Sequence, residues 1–370
     1  MTSSASGFRP PPYPYERLDR LKPLAKHEGG LVDLSIGTPC DPPAEAVRRA
    51  LADSDTERGY PSSIGSPAFR EAACGWMDRR LGARVDPTAV AACIGTKEFV
   101  GTLPSWLKLR TPARDTVLHP AIAYPTYEMG ALLAGCRPVA VAVDDQWRLR
   151  LDTITAADAE RALCLWVNSP GNPTGAIDDL GAAAAWGRAH DVPVFSDECY
   201  VEYTWDGPRR TILDGEAGVV AVHSLSKRSN LAGVRAGFYA GDPELVAYIG
   251  EVRKHVGMMV PGPVQAGATV ALGDDRHVEE QRARYRERIE LMLGVLDAIG
   301  VKAPSPDGTF YLWVDAPGGD AWAFTERLVR EGGALVAPGD LYGAAGAGHV
   351  RIALVQPTDR LALVGRRLTG

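Results

Sequence analysis

Short apolar runs alternate with helix-like segments between about residues 90 and 240. The apolar runs predict seven strands, over 90–94, 115–118, 138–143, 163–167, 192–196, 219–223 and 235–240. Helical patterns lie between most of them, for example over 98–109, 126–134 and 181–190. Because strands that are apolar on both sides must be covered on both faces, the alternation predicts an α/β fold with a mainly parallel sheet flanked by helices.

The two ends of the chain differ from this middle part. Residues 1–30 are rich in proline and polar residues, which predicts an arm rather than a core element. A long helical pattern over 275–299 leads to strand patterns at 309–314 and 349–355, which predict a separate α+β lobe. We therefore expect three parts: 1–45, the arm and part of a small domain; 46–270, a large domain; and 271–370, a C-terminal small domain.

Composition narrows the class of protein. The chain has 370 residues, of which 45% are hydrophobic and 23% charged, enough for a sizeable core. The net charge of -6 comes with no basic stripe, which argues against a nucleic-acid partner. We see no signal-peptide core and no apolar stretch of about 18 residues or more, so we expect a soluble cytoplasmic protein without a membrane partner.

Cysteine and histidine spacing gives no metal site. The six cysteines never form a C-x-x-C pair, so they are interpreted as reduced thiols of the core. The seven histidines show no spacing typical of zinc ligands.

Unusual polar residues follow three consecutive predicted strands. "NSPGNPTG" (168–175) follows the strand at 163–167, Asp197 follows 192–196, and Ser224 to Lys227 follow 219–223. In open α/β sheets, ligands bind at the carboxyl ends of the strands. The three coincidences together predict a single site.

Lys227 has two interpretations. Most lysines are solvated or salt-bridged at the surface. The alternative is an amine that forms a Schiff base with an aldehyde cofactor. Pyridoxal phosphate would also need an acid facing its pyridine nitrogen, and Asp197 could supply it, although a helix N-cap aspartate is the alternative.

The phosphate of such a cofactor would need donors as well. Ser224, Ser226 and Arg235 can hydrogen-bond a phosphate dianion, with Arg235 as the charged partner. Gly95 and Thr96 directly precede a predicted helix, whose free N–H groups favour an anion, although an ordinary helix cap is the alternative.

At this point the chain resembles the class I/II aminotransferases of the fold type I pyridoxal-phosphate family. The segments "SLSK" (224–227), "AGVRAGF" (232–238), "NSPGNPTG" and "SDECY" (196–200) carry the resemblance. It extends from "DLSIGTP" at 33–39 to "VRIALV" at 350–355. The resemblance implies a large domain with a mainly parallel seven-stranded sheet, and a pyridoxal-phosphate aminotransferase. It gives catalytic roles to Lys227, as Schiff-base lysine and proton shuttle, with Asp197 and Tyr200.

The resemblance also implies further cofactor contacts. Asn172 and Tyr200 match the pair that hydrogen-bonds the cofactor's 3-oxygen, although Asn172 also suits a plain turn. Tyr124 matches the residue that stacks on the pyridine ring, with a core tyrosine as the alternative. Lys97 is counted with Gly95 and Thr96 as a cofactor contact. Tyr60 matches the residue that reaches the phosphate of the partner subunit, which implies a homodimer with shared sites.

Substrate contacts follow in the same way. Arg351 matches the arginine that grips the α-carboxylate of the substrate, because its fork suits a planar carboxylate; a surface strand arginine is the alternative. Gly37 matches the glycine near that carboxylate, and Asn172 is counted with them. The substrates implied are an amino acid and a 2-oxo acid.

Within the family, "FRPPPYPYERL" (8–18) and "GYPSSIGSPAFREA" (59–72) resemble the succinyldiaminopimelate transaminases of high-GC bacteria. The expected reaction pairs N-succinyl-LL-2,6-diaminopimelate with 2-oxoglutarate or glutamate in lysine biosynthesis. Lys97 is the first candidate for the distal carboxylates, with a solvated lysine as the alternative. Arg17, Arg20 and Lys22 are further candidates if the arm folds over the site.

Other functions stay open. Aspartate or LL-diaminopimelate specificity would use the same chemistry, and a pyridoxal-phosphate C–S lyase would share every cofactor residue. A regulatory protein with an aminotransferase-like domain would need an added DNA-binding module of about 60 residues. The family motifs begin at about residue 33, so we do not expect that arrangement.

Overall fold

The computed structural model describes residues 7–56, 58–213 and 217–370. The helices within these residues are α1 (Glu45–Ala52), α2 (Pro67–Leu81), α3 (Thr96–Arg110), α4 (Thr126–Leu133), α5 (Ala156–Arg161), α6 (Leu180–His190), α7 (Leu225–Arg228), α8 (Pro243–Val256), α9 (Gly262–Gly273), α10 (Arg276–Ala298), α11 (Ala321–Gly332) and α12 (Thr358–Thr369). The strands are β1 (Val32–Asp33), β2 (Val90–Cys93), β3 (Thr116–Pro120), β4 (Arg137–Val141), β5 (Ala162–Asn168), β6 (Val194–Asp197), β7 (Val219–Ser224), β8 (Gly237–Gly241), β9 (Tyr311–Asp315), β10 (Ala334–Leu335), β11 (Ala337–Pro338) and β12 (His349–Ala353).

Seven of these strands form one large sheet, in the order β2-β8-β7-β6-β5-β3-β4. Strand β8 runs antiparallel to both of its neighbours, and the other six strands run parallel to one another. The seven strands predicted from the apolar runs are these seven, so the predicted α/β fold with a mainly parallel sheet is confirmed. Strands β5 and β7 are buried along their whole length, as strands covered on both faces must be.

The boundaries of the helices follow local chemistry. Ser66 caps α2 by accepting a hydrogen bond from the Phe69 N–H at 3.2 Å, and Pro67 occupies the first turn, where its missing N–H costs nothing. The helix ends at Gly82, whose φ of 70° is a left-handed conformation that glycine adopts without strain. Asp242 and Gly257 bound α8 in the same way.

A smaller antiparallel sheet of β11, β12 and β9 lies in the C-terminal part, together with helices α10 to α12. The two-stranded pair β1–β10 brings Val32 and Asp33 beside this part of the chain. The two late strands predicted at 309–314 and 349–355 correspond to β9 and β12. The domain boundaries at 45/46 and 270/271 stay a prediction.

The N-terminal arm is more firmly packed than its composition indicates. Leu18 and Leu21 are buried in a cluster with Trp313 and Leu341, so this part of the arm contributes to a core. All six cysteines are free, and four of them are buried, whereas Cys40 is exposed. The interpretation as core thiols therefore holds for four of the six. In the described ranges, no helix combines the length and the apolar character that crossing a membrane requires.

Candidate active site

A cavity of about 450 Å³ opens at the carboxyl ends of β5, β6 and β7. Twelve of the fourteen residues that the sequence predicted for the site line it: Gly37, Thr96, Lys97, Tyr124, Asn172, Asp197, Tyr200, Ser224, Ser226, Lys227, Arg235 and Arg351. Gly95 lies directly before α3 and borders the same place through its contact with Arg235. The twelve residues come from segments that are far apart in the chain, so the fold brings together what the sequence separates.

Lys227 lies in the single turn α7 that follows β7. Its ammonium group donates a hydrogen bond to the Gly37 carbonyl oxygen. Burial disfavours the charged form and lowers the pKa of Lys227 to about 8. A useful fraction of the amine is therefore neutral near physiological pH, which is what a nucleophilic lysine requires.

Asp197 is the last residue of β6. Its carboxylate accepts hydrogen bonds from the Tyr127 hydroxyl at 2.9 Å and from the Cys199 N–H at 3.2 Å. Burial raises the pKa of this carboxyl. Asp197 is the N-cap of none of the described helices, so the helix N-cap alternative is wrong. A buried carboxylate of this kind gains most from a cationic N–H facing it.

A second part of the cavity, formed by Arg235, Ser224 and Gly95, suits an anion, whereas Asp197 suits a cation. The Arg235 guanidinium donates to the Ala232 carbonyl oxygen at 2.8 Å and lies against Gly95. A Cβ atom added to Gly95, whose φ is 73°, would collide with that guanidinium, so only glycine lets Arg235 approach the first turn of α3. Ser224 accepts a hydrogen bond from the Ser226 N–H at 3.1 Å and holds the turn that carries Lys227.

These three groups fit pyridoxal phosphate. The Lys227 amine, whose pKa is lowered, suits the aldehyde of the cofactor. The buried Asp197 carboxylate, which has no cationic partner among the described ion pairs, suits the pyridine nitrogen. Arg235, with the serine hydroxyls and the start of α3 beside it, suits the phosphate.

Arg351 is buried on β12, with only 2% of its surface exposed. It donates to Asn172 Oδ1 at 2.8 Å and to the Ser35 carbonyl oxygen. Its guanidinium carbon lies 4.2 Å from the centroid of the Tyr311 ring. The alternative of a surface strand arginine is therefore wrong, and the guanidinium is held in one orientation.

Asn172 and Tyr200 lie on the same cavity through different neighbours. The Tyr200 hydroxyl is 2.9 Å from the Tyr311 hydroxyl. The Asn172 N–H donates to Asn168 Oδ1 at 2.8 Å, and the Asn168 amide donates to the Asp197 carbonyl oxygen at 2.8 Å. Asn168 thereby ties the end of β5 to the end of β6.

Lys97 lies at the mouth of the cavity, between two tyrosines. It donates to the Tyr13 hydroxyl at 3.3 Å, and its nitrogen lies 4.7 Å from the centroid of the Tyr13 ring and 5.6 Å from that of Tyr124. The Tyr13 and Tyr124 hydroxyls are 3.3 Å apart. The arm therefore does cover the site, and it does so with aromatic side chains.

The basic residues of the arm do not take part. Arg17 forms an ion pair with Asp340 at 2.9 Å and lies over the Trp322 ring, as Arg20 also does. Lys22 pairs with Asp19 at 2.7 Å. None of the three lines the cavity, so the prediction that they bind the distal carboxylates is wrong: their charges are placed against Asp340, Trp322 and Asp19 instead.

Tyr60 lies outside the cavity and is 96% exposed. Its role across a dimer interface stays a prediction.

Sequence reasoning missed several residues that line the cavity: Tyr13, Tyr15, Tyr127, Asn168, Cys199 and Tyr311. Two of them, Asn168 and Cys199, stand inside the segments "NSPGNPTG" and "SDECY" and could have been found there. Tyr127 lies in the first turn of α4, three residues after Tyr124, which precedes the helix. Tyr13 and Tyr15 carry no signal in the sequence, because the fold of the arm decides where they lie.

The sheet order and the cavity at the carboxyl edge are those of an α/β enzyme that binds its ligand where the strands end. The family model of aminotransferase class I and II matches residues 30–366. The chain therefore belongs to the class I and II aminotransferases, which depend on pyridoxal phosphate and act on amino acids and 2-oxo acids.

Individual relatives agree with this assignment. A 4-dedimethylamino-4-oxo-anhydrotetracycline transaminase of Streptomyces rimosus is 41% identical, over 97% of this chain and 99% of the relative. An LL-diaminopimelate aminotransferase of Aquifex aeolicus is 36% identical, over 97% of this chain and 96% of the relative. The solved structure of a probable N-succinyldiaminopimelate aminotransferase of Thermus thermophilus has a TM-score of 0.86 and 33% identity, and covers 96% of this chain and 99% of that chain.

Proposed function

We propose that this aminotransferase moves the amino group of N-succinyl-LL-2,6-diaminopimelate to 2-oxoglutarate. The observation that carries the substrate assignment is Lys97, a cation at the mouth of the cavity whose described contacts are aromatic rings and a hydroxyl rather than a carboxylate. A substrate with an anionic far end would give this charge a partner.

The other cations of the cavity have roles of their own, so Lys97 remains to bind the far end of the substrate. Bound pyridoxal phosphate supplies the aldehyde that accepts an amine and the ring that takes up electron density from the substrate. Lys227 would hold the aldehyde and, once released, would move the proton at the substrate Cα. Arg235 would hold the phosphate together with Ser224 and Ser226, which leaves Arg351 for the α-carboxylate.

Asp197 would keep the pyridine nitrogen protonated, because a carboxylate in a buried place favours a cation opposite it. Tyr127 and the Cys199 N–H fix the two oxygens of that carboxylate, so they act as positioning groups. Asn172 and Tyr200 would hydrogen-bond the 3-oxygen. Tyr124 would lie on the face of the ring, with Thr96 and Gly95 near the phosphate and Gly37 near the α-carboxylate.

The far end of the substrate then meets Lys97, Tyr13 and Tyr124. A succinylated diaminopimelate carries two carboxylates beyond the one assigned to Arg351. Among the residues described here, Lys97 is the cavity cation left to receive one of them. We assign the second to the partner subunit, in line with the shared site that Tyr60 implies. The Thermus thermophilus relative supports a substrate of this kind, and the Aquifex aeolicus relative supports a diaminopimelate.

The test is a panel of amino acids and 2-oxo acids offered to the holoenzyme, with loss of the cofactor's visible absorbance followed in the single half-reaction. We expect N-succinyldiaminopimelate to react with the highest kcat/KM, ahead of LL-diaminopimelate, aspartate and a short neutral amino acid. A higher value for any of these three would contradict the substrate assignment and leave the family intact. A separate sample with cystathionine, which has a C–S bond, distinguishes the two reactions: a lyase releases thiol, ammonia and a 2-oxo acid, whereas a transaminase releases no thiol or ammonia.

A further inference from the structure

A carboxyl and an imidazole side chain lie directly behind the residues that face the cofactor. Glu198 follows Asp197, and His223 precedes Ser224. Because neighbouring residues of an extended chain point to opposite sides, Asp197 and Ser224 line the cavity while Glu198 and His223 point away from it. Both are buried, with 1% and 2% of their surface exposed.

The two side chains meet in a small closed space. Glu198 Oε2 and His223 Nε2 are 3.6 Å apart. The walls are the rings of Trp76 and Phe238, whose centroids lie 4.9 and 5.0 Å from that of His223. The Glu198 N–H donates to the Val222 carbonyl oxygen at 2.9 Å, so the ends of β6 and β7 hold the two residues side by side.

Their polar atoms have few other partners. Glu198 Oε1 accepts a hydrogen bond from the Ile212 N–H at 2.8 Å. Glu198 Oε2 and both ring nitrogens of His223 have no hydrogen-bond partner among the described residues. Buried polar atoms are almost always paired. Glu198 Oε2 and His223 Nε2, at 3.6 Å, lie just beyond hydrogen-bond distance of each other, and the Ser196 and Thr211 hydroxyls also lie near the Glu198 carboxyl.

A salt bridge between them is disfavoured on both sides. Burial raises the pKa of Glu198 to about 7 and lowers the pKa of His223 to about 3. The neutral carboxylic acid and the neutral imidazole are therefore the stable forms between about pH 3 and pH 7, and the acid O–H is the donor that the imidazole nitrogen lacks.

The other charges near Glu198 do not change this. The titratable groups around it are Asp197 and Cys199 beside it in the chain, His223 on β7, Glu202 on the following turn, Arg228 on α7 and Arg80 on α2. Burial also raises the pKa of the Cys199 thiol, which stays neutral. The charge of Arg228 faces Glu202 and Asp275, each at 3.5 Å. Although burial opposes its charge, Glu202 has a pKa lowered to about 2 by Arg228 and Arg80, so these arginines have their counter-ion.

We propose that, below about pH 7, Glu198 and His223 are a neutral pair of positioning residues behind the cofactor wall, which leaves Asp197 as the single negative charge facing the pyridine nitrogen. The pair acts through Asp197, since Glu198 is its covalent neighbour. Ionisation of Glu198 would put a second negative charge beside Asp197, and a negative charge there favours the protonated form of the cofactor. The inference depends on the family's cofactor and not on which amino acid is the substrate.

The test is a pH titration of the visible absorbance of the holoenzyme, from pH 5 to about 10. In the wild type, Glu198 changes charge within this range, so we expect a transition broader than that of one proton. Glu198→Gln holds the position neutral at every pH. We expect a one-proton curve for this variant, with a midpoint lower by about one pH unit.

A matched control is Asp178→Asn. Asp178 is another buried carboxyl with a pKa raised by burial, to about 6, but it does not line the cofactor cavity. This variant should titrate as the wild type does. A one-proton curve in the wild type, or the same curve in Glu198→Gln and wild type, would overturn the proposal, whereas a purely structural role of Glu198 would lower the thermal stability and leave the curve unchanged.

A second measurement does not depend on the behaviour of the variant's cofactor. At pH 6 the infrared spectrum of the wild type minus that of Glu198→Gln should contain the band of a protonated carboxylic acid. If it contains only carboxylate bands, Glu198 is ionised and the proposal is wrong. Should Glu198→Gln fail to fold, isotope-edited spectra of the wild type, labelled at glutamate and followed from pH 6 to 9, decide the same point.

Discussion

The wall and the mouth of the active site are built by different means. The wall carries Lys227, Asp197 and Arg235, at or close to the strands of the large sheet, and each of them has at least one hydrogen bond that fixes it. The mouth consists of Lys97 and Tyr13, whose contact is a 3.3 Å hydrogen bond between exposed side chains. The wall is thus fixed by the sheet, while the mouth depends on how an arm lies over it.

This difference between wall and mouth indicates which residues can change between members of the family. Residues fixed by a sheet keep a cofactor in one orientation, which the chemistry needs in every member of the family. Loops and arms on a rigid scaffold can change without disturbing the core, so substrate choice is expected to depend on the mouth. Variants of the wall should therefore affect all substrates, and variants of the mouth should affect some.

The largest effect is expected from Lys227→Ala. The variant loses the amine that holds the aldehyde and moves the proton, and the proton-transfer role alone is worth about 10²–10⁴-fold. The visible absorbance of bound cofactor should shift, and borohydride should no longer attach the cofactor covalently to the protein. Lys97→Ala is the matched control, since it removes a lysine of the same cavity and should keep the colour. Covalent attachment of the cofactor to the Lys227→Ala protein after borohydride treatment would contradict the assignment.

The second-largest effect is expected from Asp197→Asn. An amide cannot stabilise a protonated pyridine nitrogen, and the loss of one such preorganised charge costs about 2–4 kcal/mol, or roughly 30- to 1000-fold in kcat. The effect should be equal for long and short substrates, because the residue belongs to the wall. Circular dichroism checks that the fold is kept. Turnover close to that of the wild type would remove Asp197 from the mechanism.

The lowered pKa of Lys227 gives a pH dependence. The neutral amine captures the aldehyde, and its fraction rises with pH until the pKa of about 8 is passed. Capture of pyridoxal phosphate by the apoprotein should therefore accelerate about 50-fold from pH 6 to pH 8 and change little above pH 9. Stopped-flow absorbance measures this rate. A rate that continues to rise tenfold per unit up to pH 10 would mean an unshifted lysine.

Lys97→Ala tests the mouth. We expect KM for N-succinyldiaminopimelate to rise about tenfold, or roughly 1.4 kcal/mol, while the half-reaction with a short neutral amino acid changes little. Arg20→Ala is the control, because Arg20 lies over Trp322 and outside the cavity. Equal losses with both substrates would mean that Lys97 serves the cofactor or the fold rather than substrate choice. No loss with either substrate would mean that Lys97 is an ordinary solvated lysine.

The smallest signal comes from mixing subunits. If Tyr60 serves the partner's site, a Tyr60→Phe chain combined with a Lys227→Ala chain gives heterodimers in which one site holds both defects and the other neither. With random exchange, half of the dimers are mixed and half of their sites are intact, so about a quarter of the wild-type activity should return. Activity no higher than the sum of the separate variants, after exchange has been verified, would mean that the sites are not shared.

Much of the wall could be predicted from the sequence. Asp197 and Ser224 end strands whose apolar runs are visible, and parallel strands bring their carboxyl ends to one edge. Neither the contact of Tyr13 with Lys97 nor that of Arg17 with Asp340 could be predicted, since the partners are 84 and 323 positions apart and no periodic pattern connects them. The basic residues of the arm were secondary candidates for the site, and the residues that the arm brings to the cavity are Tyr13 and Tyr15.

The amino-acid sequence alone determined the layering of strands and helices, the edge at which the ligand binds, and the residue types that meet there, because side-chain periodicity and chain direction are local properties. The tertiary structure decided the rest: which side of the arm faces the cavity, that Arg351 is buried between aromatic rings, and that Glu198 and His223 share a closed space behind Asp197. These depend on packing between distant segments, where burial removes water from a charged group and leaves its neighbours to set its protonation.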